Sequence, residues 1–387
     1  MISQLTQEQR QRWRAYREFA DTALAPRARP ADEEQVVPAG LVEDLAKEGW
    51  ISSLLPEQWG GSALDRLSYG LMAEEMGRTC QNVRNFVACA DMVSHSIWRW
   101  GTPEQREAWL GRIASGEAVA AFALTEPEVG SDAKSVRTVA TADGTGYVLS
   151  GGKKWISFAA IADLYLVFAQ YEGRHTAFLV ERDTLGLSVE PLSGLLGLRG
   201  SALAEVTFDD CRLPAGSMVG QPGSGLAFVA STALDIGRYS TAWGCVGLAQ
   251  ACLDTASRYA AQRVQSGGPI IDHQLVQRML ADMVSGSRAA RLLCWEAGAA
   301  TEAGSLDAVN QTLVAKYFAS TTANRIAADA VQVLGAYGVG PDAPVARLFR
   351  DAKVMEIIEG TSQLHQSMLG RWSAHIEHPA ASATPAA

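Results

Sequence analysis

Phe122–Asp132 reads FALTEPEVGSD, and the hydrophobic period of the chain changes at its edge. Upstream, apolar residues recur three to four apart, the spacing of one helix face. From Val119 onward they come in short β-branched and aromatic runs broken by glycine and aspartate. The stretch starts as a strand and enters a loop with Gly130, Ser131 and Asp132. Backbone N–H groups and hydroxyls in such a loop suit a polar heterocycle or a phosphate. A strand ending in an ordinary Asp/Gly turn has the same sequence, so the loop needs partners elsewhere.

Working outward, the N-terminal part predicts helices. Thr6 and Gln9 make a capping box, Trp13, Tyr16, Ala20 and Leu24 share a face, and Pro26 closes that helix. Helices follow over Leu41–Glu48, Arg66–Met76, Val83–Trp100 and Pro103–Ile113. Downstream of Val119 eight short strands are expected: Val119–Thr125, Thr138–Thr141, Gly146–Leu149, Lys154–Ile156, Leu164–Ala169, Thr176–Val180, Leu187–Glu190 and Glu205–Phe208, with turns at ADGTG and SGGKK. That spacing suits a compact β-barrel or sandwich. From Gly225 the helical period returns, and four long helices fit a bundle: Leu226–Gln265, Asp272–Glu302, Leu306–Gly335 and Val345–Arg371. The expected fold is α+β with segregated elements: helices over 1–118, a β domain over 119–222, a helix bundle over 223–375 and a disordered tail over 376–387.

With 387 residues, 48% hydrophobic and 19% charged, the chain can build a large core. A net charge of −9 argues against nucleic acid and against an anionic membrane surface. No apolar run is long enough to span a bilayer, and MISQLTQEQRQRW is no signal segment. The six cysteines contain no Cys-x-x-Cys pair and the six histidines no metal-ligand spacing, so no metal is expected. A reduced, cytoplasmic protein is the default.

Two further stretches carry candidate chemistry. Arg350–Gln363, RDAKVMEIIEGTSQ, places Glu359 before Gly360 and Thr361 at the end of a helical run. A carboxylate facing a cavity there has its pKa raised toward that of a general base; a solvated acid ending a helix reads the same. Lys154–Ser157, KWIS, offers the flat ring of Trp155 and the hydroxyl of Ser157, which share one face of a strand. A core tryptophan gives the same pattern.

Taken in order, FALTEPEVGSD, GGKKWISFAAIAD, GLRGSALAEVTFDDCRLP, LDIGR, YAAQRVQSGGPIIDHQLVQRMLADM, QVLGAYG and RDAKVMEIIEGTSQ resemble the acyl-CoA dehydrogenase family from about Leu41 to Arg371. The resemblance implies an N-terminal helical domain, a middle β-barrel domain and a C-terminal four-helix bundle, with FAD between the last two. It implies that Phe122, Leu124, Thr125, Gly130 and Ser131 line the flavin and its ribityl–phosphate chain. Trp155 and Ser157 would cover the ring and reach its N5 region. Arg263 and Gln265 would cross to the neighbour's pyrophosphate, as a guanidinium suits a diphosphate, and Gln332 and Gly335 would meet its adenine end. Thr361 and Gln363 are further FAD contacts, Arg238 a substrate contact and Glu359 the catalytic base. Ser266 stands where the family has an aromatic ring, Ala336 where a second glycine is usual, and Val129 where a small residue is usual.

The implied reaction has Glu359 removing the α-proton of an acyl thioester while flavin N5 accepts the β-hydride. GRYSTAWGCVGL and DAKVMEIIEG look particularly like the dehydrogenases of methoxymalonyl–acyl-carrier-protein biosynthesis in polyketide clusters. A small polar acyl group on a carrier protein is then the expected substrate. Arg84, Asn85 and Asp91, on the helix that lines the family's acyl pocket, suit such a group; alternatively Arg84 lies on a solvated face. A catabolic short-chain acyl-CoA dehydrogenase, a flavin-free scaffold and a monooxygenase of the same fold stay open. A homodimer or homotetramer is implied, reoxidised by an electron-transfer flavoprotein or by oxygen.

Overall fold

The computed structural model describes residues 5–376, so the expected tail lies, from 377 onward, outside the described residues. Helix α1 (Gln7–Phe19) starts at the capping box: the Thr6 hydroxyl accepts from the Gln9 N–H and the Gln9 side chain accepts from the Thr6 N–H. Pro26 does not close this helix as expected. A π-turn over Ala20–Leu24 leads straight into α2 (Ala25–Glu34), and Pro26 falls in its first turn, where a missing N–H matters least. Helices α3 (Leu41–Lys47), α4 (Arg66–Thr79), α5 (Gln81–Trp100) and α6 (Pro103–Ala114) follow.

The middle strands are β1 (Ala120–Ala123), β2 (Val139–Asp143), β3 (Gly146–Ile156), β4 (Leu164–Tyr171), β5 (Arg174–Glu181), β6 (Leu187–Pro191), β7 (Ala204–Leu213) and β8 (Met218–Val219). They pair in the order β6-β7-β3-β2-β4-β5-β8, with β1 parallel to β4. Leu149 on β3, Tyr165 and Val167 on β4, Phe178 and Val180 on β5, and Val206 and Phe208 on β7 share one buried core. The sheet therefore folds over its own interior, as a barrel or sandwich does. SGGKK, expected as a turn between two strands, lies inside β3. Register shifts between Leu149 and Gly151 and between Lys153 and Ile156 absorb the extra residues and bend the strand.

A π-turn at Gly225–Ala230 opens α7 (Ser231–Gln262). The hairpin β9 (Val264–Gln265) and β10 (Gly268–Pro269) then precedes α8 (Gln274–Glu302), α9 (Ala308–Leu334), α10 (Ala336–Val339), α11 (Val345–Met355) and α12 (Ser362–Trp372). The helix expected over Val345–Arg371 is thus two helices. Glu359 (φ +58°) and Gly360 (φ +96°) sit in the left-handed region, which no right-handed helix can include. Helix α7 is central and packs on α4, α5, α8, α9 and α11. No described helix is long and apolar enough to cross a membrane.

Trp243 on α7 is fully buried in this interior. Trp243→Ala leaves a ring-sized cavity and should cost about 3–5 kcal/mol, read as a lowered denaturant midpoint in chemical unfolding.

Candidate active site

The break between α11 and α12 turns Glu359 inward. Its carboxyl lies against Gly237 of α7, where an added Cβ would stand 2.5 Å from the carboxyl carbon. A side chain at 237 would evict the carboxyl, which is why glycine is needed at this approach. Oxygen Oε2 is buried with no hydrogen-bond partner. Burial raises the Glu359 pKa, while Arg238, Arg84 and Lys316 pull it back down. These three cations are themselves buried, and their hydrogen bonds go to neutral acceptors. Arg238 Nε donates to the Glu359 carbonyl (3.1 Å) and Lys316 Nζ to the Gly360 carbonyl (2.7 Å). Arg84 donates to Gln81 Oε1 (3.1 Å), Thr241 Oγ1 (3.3 Å) and Met355 Sδ (3.6 Å).

Arg84 is 1% exposed, so the solvated-face alternative does not hold. Its side chain packs on Gly244, and its guanidinium reaches Thr241. Gly237, Thr241 and Gly244 share one face of α7. Glu359 and Arg84 therefore lie about one helical turn apart along it, roughly 5–6 Å. Asp91, on the same helix as Arg84, faces elsewhere: it accepts from the Leu54 N–H (3.1 Å) and the Ser53 hydroxyl (3.4 Å). Burial raises its pKa to about 7.

Trp155 and Ser157 are not alternate residues of a flat strand. Trp155 sits at the second bulge of β3 with φ +63°, a strained conformation for a bulky residue. The residue is 52% exposed, with the Lys154 ammonium 5.6 Å from the ring centroid. Ser157, just past the strand, accepts from the Asn85 amide (3.1 Å), which leaves its own hydroxyl hydrogen to donate. Asn85 also reaches Ser201 (3.4 Å), which donates to Asn82 (2.9 Å). A polar chain thus ties α5 to the β domain.

The loop after β1 is held from beneath by an ion pair. Lys153 is fully buried and bonds Glu126 Oε1 (2.7 Å) and the Leu124 carbonyl (3.2 Å). Glu126 also accepts from the Arg137 and Thr138 N–H groups. Burial pushes Glu126 up, yet Lys153 and those donors outweigh it and hold it below the ordinary carboxylate value. Burial lowers Lys153 to about 8. This pairing fixes Leu124, buried, and Thr125, half-buried, while Gly130 and Ser131 remain exposed. Phe122 is half-buried against Phe168.

A second place lies at the hairpin after α7. A cavity of about 650 Å³ is lined by Arg263, Gln265, Gly335, Ala336 and Tyr337 among others. Arg263 and Gln265 are exposed; the Gln265 amide donates to the Val264 carbonyl (2.7 Å), which leaves its Oε1 and the Arg263 guanidinium to meet a ligand. Gln332, nearly one turn earlier on α9, is exposed beside this cavity and is not among its lining residues. Thr361 caps α12, accepting from the Leu364 N–H, and Gln363 is exposed in the first turn.

Three family models match in register with these elements: the N-terminal domain of acyl-CoA dehydrogenases over 6–117, the middle domain over 121–211 and the C-terminal domain over 223–374. Human mitochondrial short-chain specific acyl-CoA dehydrogenase is 37% identical over 360 residues, covering 91% of this chain and 87% of that protein. The chain belongs to the acyl-CoA dehydrogenase family.

Among solved structures, glutaryl-CoA dehydrogenase from Mycobacterium smegmatis superposes with a TM-score of 0.93 at 30% identity, covering 97% of each chain. FkbI, described as serving biosynthesis of the methoxymalonyl extender unit of a polyketide immunosuppressant, gives 0.86 at 32% identity, covering 95% of this chain and 100% of that one. The dehydrogenase is an oxidoreductase acting on CH–CH groups, and FAD is the family's cofactor. The residues present fit a flavin dinucleotide. An exposed indole is held in a strained backbone, a carboxyl oxygen lacks any partner, and a guanidinium opens onto a cavity of dinucleotide size.

The sequence did not single out Gly237, Lys316, the Glu126–Lys153 pair or His365, whose Nε2 lies 3.2 Å from the Glu359 carbonyl. Lys316 had a signal: it is a lone charge in the apolar run LVAKYFA. Gly237 had none, because a helix glycine against a distant carboxyl is legible only in three dimensions.

The raised Glu359 pKa makes a stability prediction. A folded-state pKa above the ordinary 4.5 means that the native state holds its proton longer than the unfolded chain. Stability is then lost as pH rises through that raised value. Glu359→Gln should raise the melting temperature at pH 8 by about 2 °C or more, with the difference shrinking toward pH 4.5. Thermal scans across pH test this.

Proposed function

We propose that this dehydrogenase oxidises acyl thioesters with Glu359 as the base that removes the α-proton. The observation that carries the reading is the Glu359 side chain: half-buried, raised in pKa, with Oε2 buried and unpartnered, and seated in the notch left by Gly237. A thioester α C–H bond loses its proton readily only when charge developing on the carbonyl oxygen is stabilised. No described hydrogen bond uses the Glu359 N–H, so it is a donor for that oxygen. Arg238 and Lys316 supply positive charge nearby. FAD, when bound, supplies the acceptor of the β-hydride.

Trp155 would cover the flavin ring, and Ser157 would donate its hydroxyl hydrogen to the ring edge. Phe122, Leu124, Thr125, Gly130 and Ser131 would line it from β1 and its loop, and Thr361 and Gln363 from the start of α12. Arg263, Gln265, Gln332 and Gly335 would hold the dinucleotide end of a neighbouring subunit's FAD. A homodimer or a dimer of dimers follows, since one chain then lacks part of its own site. An electron-transfer flavoprotein or oxygen would reoxidise the cofactor.

For the acyl group, Arg84 favours a short polar chain. A fully buried guanidinium bonded only to neutral groups is costly unless a ligand oxygen meets it. At one helical turn from Glu359, that oxygen belongs to an acyl unit of only three or four carbons. Likeness to FkbI supports a carrier-protein thioester in specialised metabolism. The second reading, a catabolic short-chain acyl-CoA substrate, is favoured by the identity to the human short-chain enzyme.

Bleaching of bound flavin by butyryl-CoA and by a hydroxyacyl carrier-protein thioester separates the two readings. Glu359→Gln should keep FAD yet bleach about 10³-fold more slowly; rapid bleaching of that variant would sink the base assignment. Arg84→Met should slow the hydroxyacyl thioester by about tenfold or more and spare butyryl-CoA. Equal losses on both would remove Arg84 from substrate recognition.

A further inference from the structure

We propose that Lys316 and His365 are positioning residues of this reaction, clamping the two peptide groups that follow the Glu359 side chain so that its carboxyl stays in the Gly237 notch. The inference rests on Glu359 being the base. A non-glycine residue at φ +58° followed by glycine at +96° is a conformation that the chain alone does not favour. Something must hold it, and the bonds that do so converge on two carbonyl oxygens. Arg238 Nε (3.1 Å) and His365 Nε2 (3.2 Å) meet the Glu359 carbonyl, and Lys316 Nζ (2.7 Å) meets the next one.

The clamp comes from three helices: Arg238 from α7, Lys316 from α9 and His365 from α12. Lys316 and His365 are both fully buried. Burial, with Lys316 and Arg238 nearby, lowers the His365 pKa to about 3, so the imidazole is neutral at working pH. A neutral ring bonded to a carbonyl must donate from Nε2, which leaves Nδ1 bare of hydrogen and unpartnered in the interior. The ring also packs within 2.9 Å of where a Cβ on Gly360 would stand, so this turn accepts only glycine. Lys316, lowered by burial to about 8, is charged below that pH. Its ammonium acts on Glu359 as well as on the backbone.

The two residues therefore act differently, and this separates positioning from bulk structure. The groups facing the Glu359 carboxyl are Arg84 and Cys89 from α5, Arg238 from α7 and Lys316 from α9. Lys316→Met removes one of those cations. It should move the acid limb of the rate profile to higher pH by about half a unit or more, as well as slowing the reaction. His365→Leu removes no charge, so it should slow the reaction with the acid limb in place.

The test uses the FAD-loaded protein and two probes: bleaching by whichever of butyryl-CoA and the hydroxyacyl carrier-protein thioester reduces the wild-type flavin, and exchange of the α-hydrogens of an acetyl group on that same carrier with deuterated water, followed by mass spectrometry. Exchange reports proton removal without hydride transfer. Lys316→Met and His365→Leu should lower the rate constants of both about 10²-fold, with KM within about threefold. Lys316→Arg should restore the acid limb, and His365→Gln, which also donates an N–H, the rate. FAD content and melting temperature control for misfolding. Wild-type exchange rates in both variants, or equal pH shifts in both, would overturn the proposal. Glu359→Gln run alongside keeps the readings apart: unchanged exchange there refutes the base itself, whereas lost exchange there with normal exchange in the other two refutes only the clamp.

Discussion

Everything in the site depends on a half-buried left-handed turn where a helix was expected. At Glu359 and Gly360 the backbone leaves the right-handed region between α11 and α12. A helix continued through this point would carry Glu359 around with its neighbours. The break aims its carboxyl at α7, and Gly237 makes room for it. The turn is stable because its carbonyls are used: charge-assisted donors from two packed helices and one neutral imidazole hold them.

The same constraint sets the electrostatics. Three buried cations surround one carboxylate, so the interior carries net positive charge before any ligand arrives. Such an interior is expensive in a protein that only has to fold. It is reasonable in one whose substrate gathers negative charge on oxygen as a proton leaves. Arg84, bonded to Thr241, extends that field about one helical turn further along α7.

The β domain does its part with a second buried pair. Lys153 and Glu126 tie the middle of β3 to the loop after β1, and the bulge that follows Lys153 swings Trp155 outward. One irregular strand therefore presents the indole, while α5 reaches across through Asn85 to hold Ser157. The polar chain through Ser201 and Asn82 couples the two layers, so the helical and β parts set the cleft jointly.

Local sequence determined much of this. The capping box at Thr6, the helical period of α4 to α9 and the β-branched runs after Val119 each depend on neighbours within a few residues, and so were legible. Glu359, Trp155, Arg263 and Arg238 were candidates because motif order along the chain points to them, and the structure brings Arg238 to the Glu359 carbonyl. Tertiary structure alone decided the rest. Only packing replaced one long helix by two, since two of the three donors that hold the left-handed turn lie 44 and 121 residues away in sequence. Only packing placed Arg84 inside, because a helix with polar residues on its buried face gives no period that says which face water sees. Nor could the chain show that Gly237 is the seat of the carboxyl: a glycine records the absence of a side chain, and what fills that absence comes from another helix.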